Sequence, residues 1–272
     1  MPILSDYHLH SSFSGDSKTP MEEMIKESIK KNLKHICFTE HMDFQYPYRP
    51  DMPDKMFEIN TDSYLYDLLR CKQKYASQIN VCFGVEIGLQ DSVVRENAIY
   101  TKNHDFDFII ASTHVCNGVD PYYPQYYEGK TEKEAYHEYF TCILNNIRKF
   151  SNFDVLGHLD YILRYSPLKD KNYKYETYKD VIDNILKFLI ENEKGIELNT
   201  GGLKSGLKDV HPCSDILKRY RELGGEIVTI GSDAHSCEHI GDYFDRAEEV
   251  LIQCGFKYYN IFDGRIAEYI KL

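Results

Sequence analysis

Hydrophobic positions along this chain fall into a recurring unit: a short apolar run, then a longer stretch with apolar residues at helical spacing. The runs end near residues 6–11, 36–41, 81–88, 106–114, 154–160, 195–200 and 226–235. Amphipathic stretches lie between them near 20–32, 62–78, 131–150, 176–194 and 212–223, with another at 243–254 after the last run. The first predicted helix has an entry signal in Thr19-Pro20-Met21-Glu22, which reads as a capping box with proline at the first helical position. Its Met21, Met24, Ile25 and Ile29 repeat with the period of a core-facing stripe. Strands alternating with helices predict a parallel sheet with right-handed crossovers. Seven strands without a Pro-, Gly- or Ser-rich linker predict closure into a barrel, as one domain over residues 1–272.

The polar residues of this pattern carry the chemistry. Almost every apolar run ends in a histidine or an acid: His8 and His10, Glu40 and His41, Glu86, His114, His158 and Asp160, Asp233 and His235. In a parallel barrel the C-terminal strand ends emerge on one face, where active sites sit, so these scattered residues are expected to converge. Side chains two apart on a strand share a face, which makes His8/His10 and Asp233/His235 two-pronged claws. Six of the 11 histidines occupy such strand ends. Adding Asp16, Glu86 and Asp233 gives nine nitrogen and oxygen donors, too many for one ion and enough for two or three. Packing them together without cations would be costly, because buried charge must be paired. A multinuclear metal site is the expectation.

Composition narrows the function classes. With 272 residues, 42% of them hydrophobic, the chain can bury a full core without disulfides or a structural metal. A net charge of −11 argues against a nucleic-acid binder, whose affinity rests on a basic surplus. The eight cysteines show no C-x-x-C, and several, such as Cys37 and Cys82, sit inside apolar runs; buried reduced thiols are expected. No apolar stretch approaches the roughly 18 residues of a membrane span. The start, Met1-Pro2-Ile3-Leu4-Ser5-Asp6, lacks the basic-then-apolar layout of a signal peptide. A soluble, cytoplasmic protein is expected, with no membrane partner.

Asp6-Tyr7-His8-Leu9-His10-Ser11, Thr39-Glu40-His41, Gly84-Val85-Glu86, Ser112-Thr113-His114, Gly157-His158 and Ser232-Asp233-Ala234-His235 resemble, in order, the motifs of the PHP (polymerase and histidinol phosphatase) family. The resemblance covers nearly the whole chain. Gly157-His158-Leu159-Asp160 followed by Arg164-Tyr165, and Glu197-Leu198-Asn199-Thr200, are similar to the stand-alone histidinol-phosphate phosphatases of that family. The resemblance implies a distorted seven-stranded (β/α)7 barrel, TIM-barrel-like, that holds a trinuclear metal centre. It implies one metal on His8, His10, Glu86 and Asp233, and a second on Glu86, His114 and His158, bridged through Glu86. The third would take Asp16, His41 and His235, with Asp16 standing where other PHP members often have histidine. His35, His104, His137, His211 and His239 match no ligand position and read as structural or surface residues.

The implied activity is hydrolysis of L-histidinol phosphate to L-histidinol and phosphate in histidine biosynthesis, with Glu86, Asp233, His235 and Asp160 as catalytic residues. A phosphate monoester dianion repels hydroxide, and its spontaneous hydrolysis is among the slowest biological reactions. Paired metal ions lower the pKa of a bridging water and neutralise the phosphoryl oxygens, so the expected mechanism is in-line attack by metal-bound hydroxide without a covalent intermediate. Ser11, Ser12 and Ser14 are then turn and hydrogen-bonding residues. An all imidazole and carboxylate set is compatible with zinc, manganese or iron, two to three divalent ions in all. Asp160 and Glu40, adjacent to ligands, are candidates to orient imidazoles, and Asp160 alternatively to handle a proton. Arg164, six residues beyond His158, is expected to grip the phosphate, with Lys204 as a second cation.

Two loops are candidates for the substrate pocket. Residues 43–60 offer Asp43, Phe44, Tyr46, Tyr48 and Arg49; residues 117–130 offer Tyr122, Tyr123, Tyr126 and Tyr127. An aromatic wall with Asp43 for the substrate's amine is one reading, and a lid packed on itself is the other. Two further functions compete with the leading one. A PHP phosphoesterase acting on nucleotides or nucleic-acid ends is disfavoured by the negative charge and the lack of a polymerase region. A non-catalytic, metal-stabilised module should have lost ligands, and here all nine positions are filled. The expected partner is a small-molecule phosphate ester, not nucleic acid.

Overall fold

Seven parallel strands pair in sequence order: β1 (Ser5–Leu9), β2 (His35–Met42), β3 (Asn80–Gly88), β4 (Phe108–Ser112), β5 (Val155–Leu156), β6 (Gly195–Asn199) and β7 (Val228–Gly231). These come from a computed structural model that describes residues 3–272; Met1 and Pro2, part of the N-terminal segment read above, lie outside them. The ring closes where β1 and β7 meet. Asp233 N donates to His8 O and His10 N to Ala234 O, both at 2.9 Å. Lower on the same seam a side chain does the stitching. The Asp6 carboxylate accepts from Ser232 N at 2.9 Å, Ser232 Oγ at 2.6 Å and Gly241 N at 3.1 Å. The expected (β/α)7 barrel, TIM-barrel-like, is therefore the observed fold, distorted at β5, where the apolar run 154–160 yields a strand of only two residues.

Each amphipathic stretch became a helix on the outside of the ring: α1 (Met21–Lys30), α2 (Thr61–Tyr75), α4 (Glu132–Lys149), α6 (Tyr175–Glu191), α8 (Ser214–Glu222) and α9 (Phe244–Gln253). The structure adds α3 (Val94–Asn103) and two single turns, α5 (Ile162–Tyr165) and α7 (Gly201–Lys204), where the sequence shows weak periodicity. Met21, Met24 and Ile25 of α1 are buried as the stripe predicts. The capping box at Thr19 does not form. Pro20 itself is the N-cap without a side-chain cap, because Thr19 Oγ1 donates instead to His235 O at 3.3 Å. Thr131 and Glu134 make the reciprocal pair at the start of α4.

A hairpin of β8 (Tyr258–Asp263) and β9 (Ile266–Lys271), absent from the expectations, covers the N-terminal end of the barrel. Tyr7 Oη donates to Phe262 O at 2.8 Å, Val228 N donates to Asn260 Oδ1 at 2.9 Å, and Arg265 Nε donates to Asp154 at 2.5 Å. With that end plugged, the C-terminal end is left to face solvent. Among the described residues all eight cysteines are free thiols, and no helix is long and apolar enough to cross a membrane.

Candidate metal centre

Strand alternation decides which side chains point over the open end of the barrel. His8 on β1 and His10 just past its end both do, with their Nε2 atoms 3.0 Å apart. Glu86, on β3, divides its carboxylate between two sets of imidazoles. Its Oε1 lies 2.9 Å from His158 Nε2 and 3.2 Å from His114 Nε2. Its Oε2 lies 3.0 Å from His41 Nδ1, 3.2 Å from His8 Nε2 and 3.5 Å from His10 Nε2. Asp233 Oδ1 approaches His8 and His10 at 3.8 and 3.7 Å. Asp16, in the loop after β1, reaches His235 Nε2 at 3.2 Å and His41 Nε2 at 3.6 Å. All nine sequence-predicted donors are thus brought together. His41, expected only beside Asp16 and His235, also joins Glu86 and His114 through its other nitrogen. His158 (φ 44°) and Asp233 (φ 55°) hold left-handed backbone, which costs a non-glycine residue about 1–3 kcal/mol and persists where the surroundings over-determine it.

The rear nitrogens of three imidazoles are occupied, which fixes ring orientation and turns the opposite nitrogen inward. His8 Nδ1 meets Glu197 Oε1 at 2.5 Å and His114 Nδ1 meets Asp43 Oδ1 at 2.9 Å. His10 Nδ1 meets Ser14 Oγ at 3.0 Å, and that hydroxyl donates to Glu40 at 2.5 Å. Glu40 therefore supports His10 through a serine, not its neighbour His41, and Ser11 binds the same carboxylate. Sequence reasoning did not assign Glu197 a role. Its signal was Gly231: a Cβ there would meet Glu197 Oε1 at 2.5 Å and His8 Cβ at 2.3 Å, so the histidine–glutamate pair requires glycine on β7.

Of three further expected residues, one lines the pocket and two stand elsewhere. Asp43, expected to bind the substrate's amine, lines the pocket and gives Oδ1 to His114, while its Oδ2 has no hydrogen-bond partner. Asp160 is fully buried and does not line the pocket; its two oxygens are taken by His211 Nδ1 at 2.5 Å and Cys213 N at 2.8 Å. Lys204 is exposed on the outer side of α7 and does not line the pocket. Arg164 does: Nη1 and Nη2 both donate to Asp233 Oδ2 at 3.0 Å.

Charge in this cluster is tightly interlocked. Burial would raise the carboxyl pKa of Glu86, but His8, His114 and His41 hold it well below the usual range. Arg164 and His8 do the same for Asp233 against its burial. Burial opposes protonation of His8, yet Glu197, Glu86 and Asp233 raise it well above the ordinary imidazole value. His10 goes the other way, lowered by burial and by His235, His41 and His8. Burial pushes Glu40 up to about 7 despite the serine hydrogen bonds.

These residues fit divalent cations. Glu86 Oε2, His41 Nδ1 and His235 Nε2 are buried and make no hydrogen bond, a costly state for polar atoms unless another partner takes them. Three sets of donor atoms lie within 4.8 Å of one another: His10, His41 and His235; His8, His10 and Asp233; and His41, Glu86 and His114. Imidazole nitrogen with carboxylate oxygen is the donor chemistry of zinc, manganese and iron.

A pocket opens above the donors, walled by Phe57, Tyr161 and Tyr165, with Arg164 and Asp120 among its polar residues. Of the aromatic residues expected here, Tyr126 is buried against Tyr127 and donates to Ala135 O, and Tyr48 is 76% exposed. Tyr161 and Tyr165, on the α5 turn, were not foreseen as pocket walls. One turn of chain carries too little periodicity to reveal a face.

The PHP domain family model matches residues 6–201. A Clostridium acetobutylicum protein named "Probable histidinol-phosphatase" is 38% identical over 98% of this chain and 100% of its own length. The Lactococcus lactis histidinol-phosphatase is 32% identical over 95% of this chain and 94% of its own. A crystal structure of the Lactococcus lactis histidinol phosphate phosphatase, complexed with zinc, L-histidinol and phosphate, superposes with a TM-score of 0.87 at 31% identity, covering 97% of this chain and 98% of that one.

Proposed function

This chain belongs to the PHP domain family, and from that premise we propose that it is a metal-dependent histidinol-phosphatase, hydrolysing L-histidinol phosphate to L-histidinol and phosphate. The observation that carries this reading is Glu86, one buried carboxylate with an imidazole set on each oxygen, beneath a pocket that also holds an arginine. We assign His8, His10, Glu86 and Asp233 to one ion, Glu86, His114 and His158 to a second, and Asp16, His41 and His235 to a third, two to three ions of zinc, manganese or iron per chain. His41 stands close enough to Glu86 to serve the second set as well. Divalent ions held there supply positive charge for the phosphoryl oxygens and bring the pKa of water toward neutrality.

The chain's own residues do the rest. Arg164 presents a permanently charged, two-pronged donor at the pocket wall, suited to phosphate oxygens. Its Nε has no hydrogen-bond partner, which leaves donor capacity for a ligand. Glu197, Asp43 and the Ser14–Glu40 pair hold His8, His114 and His10 in place, so the donors need no rearrangement when substrate enters. Tyr161 and Tyr165 on one side and Phe57 on the other exclude water from the pocket and offer flat faces to an imidazole ring. We read the chain as one domain, and its free thiols suit a cytoplasmic enzyme.

Phosphate release tests the reading, with L-histidinol phosphate beside a small panel of phosphomonoesters and a 3′-ended oligonucleotide. Preference for L-histidinol phosphate is the expected result. Faster cleavage of the oligonucleotide would place the chain with the nucleic-acid-processing phosphoesterases instead.

A further inference from the structure

Two pocket carboxylates, Asp43 and Asp120, have no part in the donor sets, and Asp120 backs no imidazole. Asp120, in the loop after β4, is 5% exposed and lines the pocket. The other acids there all face imidazoles: Asp16, Glu86 and Asp233 as donors, and Asp43 with Oδ1 on His114 and Oδ2 3.7 Å from His41 Nδ1. Asp120 Oδ1 accepts from the Tyr122 amide at 2.7 Å and Oδ2 from the Tyr46 hydroxyl at 2.6 Å. A carboxylate oxygen has two lone pairs, so both oxygens keep acceptor capacity toward the pocket.

Asp120 also sits at the middle of an aromatic arc. From His41 the arc runs to Phe57 (5.4 Å between ring centres) and to Tyr46 (4.6 Å), which binds Asp120. On the far side Tyr122 packs on Tyr165 (5.0 Å), Tyr165 on Tyr161 (5.1 Å) and Tyr161 on His158 (5.2 Å). The two loops that bring Tyr46 and Asp120 together are fastened elsewhere as well. Arg49 lies 3.7 Å above the Tyr123 ring, and Tyr123 Oη donates to Met52 Sδ at 3.3 Å. Asp120 is thus a preorganised acid among aromatic rings, and Arg164 is a cation lining the same pocket, paired with the donor Asp233.

We propose that Asp120, held by Tyr46, recognises a positively charged group on the alcohol half of the substrate, so that the enzyme selects phosphate esters of cationic alcohols over those of neutral ones. The proposal rests on the phosphomonoesterase reading above and names the feature that sets its specificity. A molecule with phosphate at one end, a flat ring between and an ammonium or imidazolium at the other matches the order cation, aromatic wall, anion. A buried carboxylate built to bind a cation rejects a ligand that leaves it unpaired, which discriminates more strongly than apolar fit.

The experiment compares L-histidinol phosphate with phenyl phosphate in wild type, Asp120→Asn and Tyr46→Phe, with kcat, KM and metal content measured on the same samples. In Asp120→Asn the ratio of the two kcat/KM values should fall about 10- to 100-fold, chiefly through KM for L-histidinol phosphate. Tyr46→Phe, which keeps the charge and loosens its position, should lower the ratio about 3- to 10-fold, and it decides the matter if Asp120→Asn loses metal or fails to fold. A ratio held within about twofold in the variants overturns the assignment. Wild-type enzyme with no preference between the esters overturns the selectivity, whereas wild type inactive on both overturns the phosphomonoesterase reading itself.

Discussion

Arg164 places both terminal nitrogens of its guanidinium on a single oxygen of Asp233, each at 3.0 Å. Asp233 Oδ1 is left facing His8 and His10, so one carboxylate joins the arginine to the histidine claw of β1. Arg164→Ala removes a charged donor from the pocket wall without removing an imidazole. The expected loss is about 2–3 kcal/mol of transition-state binding, a fall of roughly 30- to 150-fold in kcat/KM. Steady-state kinetics with metal analysis on the same preparation checks it. Unchanged kinetics would take Arg164 out of the site; lost metal would make it a support for Asp233.

Glu86→Gln removes the charge that two imidazole sets share. Metal content should drop at more than one position together, and phosphate release should fall by at least about 100-fold with poor rescue by added metal. Elemental analysis and activity after metal titration decide this. Near-normal turnover with full metal would mean that Glu86 bridges nothing.

Strong chelation of the wild-type protein should abolish phosphate release, and re-addition of zinc, manganese or iron should restore it. Gently purified protein should carry two to three divalent ions per chain. Full activity in metal-free protein would contradict the proposed chemistry.

Glu197→Ala frees His8 Nδ1 and takes away the acceptor that orients the ring. Metal affinity should weaken about 10- to 100-fold. Ser14→Ala, which breaks the link from His10 to Glu40, should act in the same direction. Competition with a metal-binding dye reads the affinity directly, independent of turnover.

Far from the pocket, Arg219 on α8 clasps Asp183 on α6, with Nη2 at 2.7 Å and Nε at 3.1 Å from both oxygens. Burial alone would raise the Asp183 carboxyl, but hydrogen bonds from Arg219 and Tyr175 outweigh it and set it below 3.8. A depressed folded pKa contributes stability that is present above 3.8 and lost as the pH falls through the folded value. Asp183→Asn should cost about 1–3 kcal/mol near neutrality, less as the pH drops below the ordinary carboxyl value. Denaturant unfolding of both proteins across that range measures the difference. A gap independent of pH would remove the charge from the account.

What the sequence by itself determined was the repeating strand–helix rhythm, the barrel, and eight of the nine donors at or just beyond strand ends. The reason is local. A period of two or of 3.6 reports which residues are buried, and a parallel barrel has one face on which strand ends must meet. His8 and Glu86 were legible because their strands aim them by alternation, and His10 and Asp233 because they directly follow strand ends. The tertiary structure decided what each polar group touches. Asp43 and Asp160 both follow strands and looked alike in the sequence, yet one backs His114 and the other turns to His211. Asp120 and Tyr46 are 74 positions apart and belong to loops without periodicity, so nothing local records that they bind. The hairpin at 258–271 escaped notice because closing the lower end of a barrel is a demand of the assembled ring, not of any one segment. Hydrogen bonds act over about 3 Å, and contacts at that range between distant segments exist only once the chain has closed.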